Sequence, residues 1–334
     1  MGGSPYLSYP DPGRWKQVYE RLDFIAVVDR FMPEEAAWAD VILPAATYYE
    51  IESYHLYRDH VRMRRRVIEP VSEARNDSMI LSAIAERLGC GSSFPASEGE
   101  IVDRAFSNNV ELLRILKNGP GVGRLPFGER RSRKYESGHL RSDGKPGFPT
   151  PSGKFEFTSV LLRRYGYDAL PVYTDPRAST ADDDSVLMLT AGARSSKRFN
   201  SQYLDHHELA LNREPALEIN VIDAKIRGIK NGARVSLRTD LGEIVLEARV
   251  TTGICKGAVH APFGGGSRRH HGLWRQAHVN SVIPSDVRDP ISGYPVVKAV
   301  MCDVAKVDTA GDLCDGVSEC VEYVENRVNS TSER

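Results

Sequence analysis

The sequence predicts an α/β segment followed by a β-barrel, and two observations lead to this fold class. In residues 22–44 a short apolar run, a helix start and a second apolar run follow one another closely, which is typical of a crossover between two parallel strands. After residue 186 the chain has many short strand-like segments and few helices, which is the pattern of a barrel. A chain of 334 residues has room for about two domains with proper cores.

The α/β segment begins with the two strands of this crossover. Residues 22–29 (LDFIAVVD) are apolar and rich in β-branched side chains, as buried parallel strands are. Residues 33–38 (PEEAAW) start with a proline and two acids, which favours a helix N-terminus. Residues 39–44 (ADVILP) predict the second strand, which ends at the proline.

Helices and loops follow up to the barrel. Apolar side chains at helical spacing predict a helix over 77–88, with Asp77 as its N-cap and Gly89 just after its end. A second helix is expected near 98–117, and the glycine- and proline-rich remainder predicts loop. The polar, turn-prone residues 174–185 predict a linker.

The barrel is predicted from alternating side chains and from turns between short strands. In residues 243–250 apolar side chains alternate with mostly charged ones, which gives one buried and one exposed face. The predicted elements, in chain order, are a strand at 186–190, a helix at 221–227, a hairpin of 233–238 with 243–250, and a strand at 257–263.

Charge and hydropathy argue against several classes of protein. The net charge is -1, so no overall basic field points to nucleic acid or to an anionic membrane. No apolar run reaches the about 18 residues of a membrane-spanning helix. Residues 1–15 lack the charged and apolar regions of a signal peptide. We therefore expect a soluble chain. We expect it in the cytoplasm or, if it is exported together with an N-terminal half that precedes residue 1, in the periplasm.

The five cysteines do not have the spacing of metal ligands. No pair of Cys90, Cys255, Cys302, Cys314 and Cys320 has the C-x-x-C spacing of zinc or iron–sulfur sites. Free thiols in a reducing compartment are therefore favoured over a metal site. A disulfide between the last two cysteines is compatible with the sequence, but nothing in the sequence requires it.

Six segments, in order over about residues 1–305, are specific when they are taken together. They are residues 39–50 (ADVILPAATYYE), 67–89 (VIEPVSEARNDSMILSAIAERLG), 150–159 (TPSGKFEFTS), 189–202 (LTAGARSSKRFNSQ), 216–232 (ALEINVIDAKIRGIKNG) and 280–298, with Asp289, Pro290 and Gly293. In this order they resemble the C-terminal half of the molybdopterin oxidoreductases related to dimethyl sulfoxide reductase and formate dehydrogenase.

The resemblance implies the fold in more detail. It implies a partial Rossmann-like parallel-sheet domain with an irregular insert over 1–175, a double-psi β-barrel that binds molybdopterin dinucleotide over 185–308, and a tail over 309–334. Residues 62–70 (RMRRRVIEP) favour the thiosulfate- and polysulfide-reductase-like branch. The family's iron–sulfur cysteines, where present, and its Ser, Cys or selenocysteine ligand of molybdenum lie further upstream, and nothing here corresponds to them.

A molybdopterin guanine dinucleotide carries a pyrophosphate, so its protein must supply backbone N–H groups and cations. The turn after the strand at 186–190 has residues of this kind. Thr190 begins it, Gly192 allows close approach of the backbone, and Arg194 has a guanidinium that fits phosphate. The local residues alone favour an ordinary glycine turn with a surface arginine, and the resemblance reverses that preference.

The resemblance adds further cofactor-binding positions. Asn200, Ser201 and Gln202 are three neutral hydrogen-bonding residues in a row, and relatives often have His-Ser at the first two. Asn200 therefore replaces a histidine and cannot protonate near neutral pH. Asn280 matches the family's cofactor-contacting asparagine, and Lys298 matches a position that is often basic and suits phosphate.

Other polar residues have two interpretations. Asp223 would read guanine N–H groups or, more simply, cap its helix. Residues 264–271 (GGGSRRHH) are equally compatible with a phosphate contact and a solvated loop, and the adjacent histidines make a poor chelating pair. Tyr294 is expected in the core rather than beside the pterin. Glu50 and Glu52 are interpreted as surface glutamates rather than as general acids.

Three functional hypotheses remain open at this point. The first is the cofactor-enclosing half of a molybdenum or tungsten oxidoreductase. It has no catalytic or metal-binding residue of its own, is inactive alone, and has as partners a chain with the N-terminal half and an electron-transfer subunit. The second is a stand-alone barrel that binds a nucleotide or a partner protein without redox activity. The third is a barrel related to the pyruvoyl decarboxylases, which are cut at Gly-Ser, a pair that occurs at Gly3, Gly91 and Gly266.

Overall fold

The computed structural model describes residues 1–125, 132–170, 172, 173, 175, 186–192, 215–270 and 272–307. The chain divides into two compact units. One combines Met1–Ala45 with Ser179–Arg334, and the other is Ala46–Ala178. The domain limits predicted above stay a prediction, although the first 45 residues belong to the same unit as the barrel.

The strands of the described residues are short. In chain order they are β1 (Ala26–Asp29), β2 (Val41–Pro44), β3 (Ser53–Leu56), β4 (His60–Arg64), β5 (Val122–Arg124), β6 (Leu187–Ala191), β7 (Ala216–Asn220), β8 (Arg234–Arg238), β9 (Glu243–Thr251), β10 (Ala258–Ala261) and β11 (Val300–Lys306).

The helices are short as well. In chain order they are α1 (Pro5–Ser8), α2 (Pro12–Tyr19), α3 (Asp77–Arg87), α4 (Glu98–Phe106), α5 (Val110–Asn118), α6 (Val160–Arg164), α7 (Val221–Ile226) and α8 (Leu273–Gln276), with 3-10 turns at Glu34–Ala37, Gly91–Ser93 and Val279–Val282.

The predicted crossover between parallel strands is confirmed. Strands β1 and β2 pair in parallel, with Ala26 opposite Val41 and Val28 opposite Leu43. The connection that was expected to start a helix is a single 3-10 turn, Glu34–Ala37, in which both glutamates are buried. Both side chains accept hydrogen bonds from residues of the same unit, and these bonds help to position the candidate cofactor site.

The predicted barrel is confirmed as a closed six-stranded barrel. Its strand order is β10-β6-β11-β8-β9-β7, and β10 also pairs with β7. Two pairs are parallel, β6 with β10 and β7 with β9, and the rest are antiparallel. The core is aliphatic because alternate residues of each strand point inwards; its fully buried members include Leu187, Leu189, Leu217, Ile219, Val235, Leu237 and Val259.

The second unit has its own small core. Strands β3, β4 and β5 form an antiparallel sheet, and the apolar side chains of β4, Val61 and Met63, pack with residues of α4 and α5. The helix expected near 98–117 is two helices, because Asn109 leaves the helical conformation and its Oδ1 accepts a hydrogen bond from the Leu112 N–H. At the predicted helix 77–88 the N-cap is Asn76, not Asp77, since the Asn76 Oδ1 accepts from the Ser78 N–H.

Candidate cofactor site

Three segments of the barrel unit meet at the carboxyl end of β6. Strand β10 runs parallel to β6 and ends beside it, with Ala261 opposite Ala191. The Ala191 N–H donates to the carbonyl of Val297, 3.2 Å away, just before β11 begins. Gly192 directly after β6, the loop after β10 and the residues around Lys298 therefore share one end of the barrel.

Gly192, the first residue after β6, has a backbone that only glycine adopts comfortably. Its φ is +101°, and a Cβ built there would lie 2.7 Å from Cε2 of the Phe263 ring. Any larger residue would be strained and would collide with the ring. The backbone at the end of β6 is therefore left without a side chain, which suits close approach of a phosphate group.

Thr190 and His260 face each other across the parallel pair of strands that leads to this end. Both are half-buried on the outer side of the barrel. Burial lowers the pKa of His260, and Glu218, whose Oε2 is 3.9 Å from the ring Nδ1, opposes this only in part. The His260 Nε2 is buried and has no hydrogen-bond partner in the described part of the chain, so sequence analysis missed a polar group beside the predicted site.

Asn280 is 1% exposed and connects the barrel to the first helices of its unit. Its Nδ2 donates to the Leu7 carbonyl at 2.8 Å, and its own carbonyl accepts from the Asp11 N–H at 2.9 Å. Its Oδ1 is buried without a partner among the residues described. An orphaned acceptor is costly unless a donor reaches it, and the N–H groups of a pterin or guanine are donors of this kind.

The loop after β10 is a packed element and not the solvated loop that was one of its two interpretations. Gly264, Gly265 and Ser267 are buried. A methyl group at Gly265 would overlap the carbonyl oxygen of Ala277, so the close packing requires glycine. The Gly266 N–H donates to the Trp274 carbonyl at 2.9 Å, so the loop backbone is held against residues 274–278, just before the 279–282 turn.

The two arginines of this loop have partners within the protein. The Arg268 Nε donates to Oε2 of Glu34 at 2.8 Å. The Arg269 guanidinium lies 4.9 Å from the centre of the Phe31 ring, and burial lowers its pKa. Lys298, by contrast, is exposed close to the start of β11, where a cation suits a phosphate-bearing ligand.

Several polar residues singled out from the sequence have structural roles. The helix α7 is capped by Asn220, whose Oδ1 accepts from the Ile222 N–H. Asp223 is not the cap: it is 1% exposed, and its Oδ2 accepts from the Gly257 N–H at 2.8 Å. The expectation of a core position for Tyr294 is wrong, since this side chain is 67% exposed on the turn before β11.

Glu50 is buried and not the surface glutamate that was expected. Its carboxylate accepts hydrogen bonds from the N–H groups of Thr47 and Val71 at 2.6 and 2.8 Å. The Thr47 bond is the main reason why its pKa is lowered, despite the opposing effect of burial. A carboxylate with a lowered pKa stays ionised at neutral pH, so Glu50 is a backbone acceptor and not a general acid.

Four of the predicted cofactor residues, Arg194, Asn200, Ser201 and Gln202, lie outside the described residues. So do His271, Cys314 and Cys320. Of the cysteines within the described ranges, Cys90, Cys255 and Cys302 are free thiols. Burial raises the pKa of Cys302 to about 12, which makes it an inert core side chain.

Among the described residues, no three His, Cys, Asp or Glu side chains lie close enough together to hold a metal ion. In the same ranges, none of the helices has the length and hydrophobicity needed to cross a bilayer.

Comparison with known families identifies the barrel and the segment before it. Residues 1–87 match the model of the molybdopterin oxidoreductases, and residues 187–301 match the model of the molybdopterin dinucleotide-binding domain. The two matches together cover more than half of the chain. The chain belongs to the molybdopterin oxidoreductase family. The resemblance inferred from the six sequence segments is therefore confirmed.

Curated members of this family cover most of the chain. A dimethyl sulfoxide/trimethylamine N-oxide reductase of Cereibacter sphaeroides is 29% identical over 287 residues, 79% of this chain and 35% of its own length. The alpha subunit of an F420-dependent formate dehydrogenase of Methanocaldococcus jannaschii is 29% identical over 269 residues, 79% of this chain and 37% of its own length. The chain thus spans about a third of the length of these relatives.

A solved structure shows the same fold. Acetylene hydratase from Pelobacter acetylenicus superposes with a TM-score of 0.74 at 21% identity, over 90% of this chain and 42% of that one. The predicted fold class, a partial α/β unit followed by the family's barrel, is confirmed. So is the predicted cofactor, since the dinucleotide-binding domain of this family is the domain for molybdopterin guanine dinucleotide with molybdenum or tungsten.

Proposed function

We propose that this chain is the cofactor-binding portion of a molybdenum or tungsten oxidoreductase and is inactive alone. In this proposal the metal ligand and any iron–sulfur cluster come from polypeptide outside these 334 residues. The observation that carries the proposal is the convergence of the Gly192 turn, the loop after β10 and the Lys298 segment at the carboxyl end of β6. This end of the barrel has a backbone without a side chain at Gly192 and a cation at Lys298.

The residues present fit the dinucleotide. The backbone at Gly192, which carries no side chain, receives the pyrophosphate, Lys298 neutralises its charge, and Thr190 and the Asn280 Oδ1 provide polar groups for its heterocycles. Arg194, Asn200, Ser201 and Gln202 complete the proposed set. The metal carried by the cofactor supplies the redox chemistry, while this chain binds and orients the cofactor and helps to wall the approach of substrate.

The exposed apolar residues of the two-stranded β1–β2 sheet support the proposal that an N-terminal half of the enzyme packs against it. Parallel sheets are normally covered on both faces, and two strands alone are marginally stable. Here Val41 and Ile42 of β2 are 39% and 42% exposed, and Phe24 before β1 is exposed as well. We propose that further strands from the N-terminal half cover this sheet, either in the same polypeptide or in a separate chain, and that an electron-transfer subunit completes the enzyme.

Activity measurements test this proposal. The isolated chain, loaded with molybdopterin guanine dinucleotide, is expected to bind the cofactor and to show no dye-linked turnover. Co-expression with a polypeptide that carries the metal-ligand half is expected to give turnover. Sustained turnover by the isolated chain contradicts the claim of inactivity. Binding of guanosine diphosphate as tight as that of the whole cofactor, with no turnover in either preparation, would favour the stand-alone nucleotide-binding barrel.

A further inference from the structure

A buried glutamate in the β1–β2 connection reaches the loop beside the proposed cofactor site. Glu34 lies in the 3-10 turn between these strands and is 6% exposed. Its carboxylate contacts residues more than 230 positions later in the chain, in the loop that follows β10. The interaction is therefore a tertiary contact between the α/β strands and the barrel, within one compact unit.

Both carboxylate oxygens of Glu34 are occupied. Oε1 accepts from the Ser267 Oγ–H at 2.8 Å and from the Arg268 N–H at 2.9 Å, and Oε2 accepts from the Arg268 Nε at 2.8 Å. Hydrogen bonds to an ionised carboxylate are short and strong, and a guanidinium fixes their direction. Three such bonds in a buried position specify where the loop backbone lies.

The loop needs such a constraint because its sequence is permissive. Gly264 and Gly266 have φ values of +102° and +93°, and glycine loses more conformational freedom than any other residue when it is ordered. Ser267 links the rest of the loop, since its Oγ also accepts from the Arg269 N–H at 3.2 Å and its carbonyl accepts from the His270 N–H at 3.0 Å. Glu34 holds this serine and the next residue.

The loop position matters for the site. Phe263 stands at the head of the loop, and its ring is the group that a side chain at position 192 would strike. The ring and the loop backbone thus form one wall beside the Gly192 turn. A loop that moved would take this wall away from the end of β6.

The neighbouring glutamate has a different task. The Glu35 carboxylate accepts from the Ser4 Oγ–H at 2.9 Å, the Tyr6 N–H at 2.8 Å and the Tyr19 hydroxyl at 3.3 Å. Burial, together with this carboxylate, raises the pKa of Tyr19. Glu35 holds the first two helices and makes none of the loop contacts described for Glu34, so the chain itself offers a matched control.

We propose that Glu34 is a positioning residue for the cofactor: it holds the 263–269 loop against the end of β6, so that the connection between the α/β strands determines how tightly the barrel retains the dinucleotide. The effect on cofactor affinity rests on the proposed function. The effect of Glu34 on the loop position does not depend on that function, and it is measurable without ligand.

The test compares Glu34→Gln with Glu35→Gln in the full chain. Glutamine keeps the shape but loses the charge that makes these bonds strong, so amide exchange in peptides covering 262–270 is expected to be about tenfold faster in Glu34→Gln. The dissociation constant for molybdopterin guanine dinucleotide is expected to rise by a similar factor. In Glu35→Gln both quantities stay at wild-type values, and exchange rises over residues 4–9 instead.

A second variant covers the case in which Glu34→Gln does not fold. Ser267→Ala leaves the Arg268 bonds intact and is expected to move the same two quantities in the same direction by a smaller factor. Unchanged loop exchange in a folded Glu34→Gln protein, or an equal effect of Glu35→Gln, overturns the inference. Faster loop exchange in a chain whose wild type binds no cofactor leaves the loop constraint standing and overturns the proposed function.

Discussion

At the scale of single residues, Gly192 carries the argument for a ligand because two constraints exclude a side chain there. Replacement by alanine forces a positive φ on a residue with a Cβ and pushes that atom into the Phe263 ring. We expect Gly192→Ala to lower the free energy of unfolding by about 2–4 kcal/mol and to weaken cofactor binding at least tenfold. Urea unfolding and a cofactor titration measure the two effects.

Gly228→Ala is the matched control for this variant. Gly228 follows α7 with a φ of +63°, and a Cβ there meets nothing within 4 Å. Alanine therefore incurs only the conformational cost of about 1 kcal/mol, and cofactor binding stays at its wild-type value. An equal loss of cofactor affinity in both variants would mean that Gly192 matters only for stability.

His278 gives the barrel unit a defined dependence on pH. Burial lowers its pKa to about 4 in the folded state, against the partial compensation of a hydrogen bond to the Leu7 backbone. The unfolded imidazole has a pKa of about 6.5, so as the pH falls from 6.5 to 4 the unfolded state takes up a proton that the folded state does not. The stability that the neutral ring contributes is therefore fully present above pH 6.5, and it is lost as the pH falls from 6.5 to 4.

The corresponding experiment is urea unfolding of wild type and His278→Gln at pH 7 and pH 5. On lowering the pH, the wild type is expected to lose about 2 kcal/mol more than the variant. Equal losses in the two proteins would show that His278 is not held neutral by burial.

Sequence reasoning found the residues whose signal is local and missed those whose partners are remote. Gly192 was predicted because a glycine directly after a buried strand is informative by itself. The sequence favoured Asp223 as the cap of α7, but the cap is Asn220. The choice depends on which residue is the last with an extended backbone before the helix begins, and the sequence does not show this. Glu34 gave no signal beyond a helix start because its partners lie more than 230 residues away.

At the scale of elements, the break between α4 and α5 shows how a cap defines a helix boundary. Periodicity alone predicted one helix near 98–117, because apolar residues continue at helical spacing through the break. The Asn109 side chain satisfies the Leu112 N–H, and that bond starts a new helix. The β3–β4 hairpin was missed for a related reason: alternation of Val61 and Met63 with charged residues is present but short.

Asn109→Ala tests this boundary. Loss of the cap leaves an N–H of α5 without its acceptor, and we expect the free energy of unfolding to fall by about 1 kcal/mol. Asn108→Ala, at the exposed neighbouring position, is expected to have almost no effect. Circular dichroism during urea unfolding distinguishes the two; equal effects would contradict the assignment of Asn109 as the cap.

At the scale of the whole molecule, the exposed apolar strand β2 is the expected contact with the complementary half. Ile42→Lys places a charge on a half-exposed surface, so the stability of the isolated chain is expected to change by less than about 0.5 kcal/mol. Co-purification with the N-terminal half is expected to be lost. The control is Ile222→Lys on α7, which is similarly exposed; loss of co-purification in both variants, or in neither, would contradict this docking surface.

The order of the elements was predictable because each kind of element has a distinct periodicity. Buried parallel strands, amphipathic helices and alternating barrel strands each leave a pattern in consecutive residues. The grouping of residues 1–45 with the barrel was not predictable, since it depends on contacts such as that of Asn280 with Leu7. Closure of the barrel by pairing of β10 with β7 is likewise a property of the assembled chain.

The most direct test of the central claim is the position of the pyrophosphate in a crystal structure of the chain bound to molybdopterin guanine dinucleotide. We expect the pyrophosphate at the carboxyl end of β6, within hydrogen-bond distance of the Gly192 backbone. A pyrophosphate bound elsewhere on the barrel, with Gly192 packed against protein alone, would contradict the proposed site.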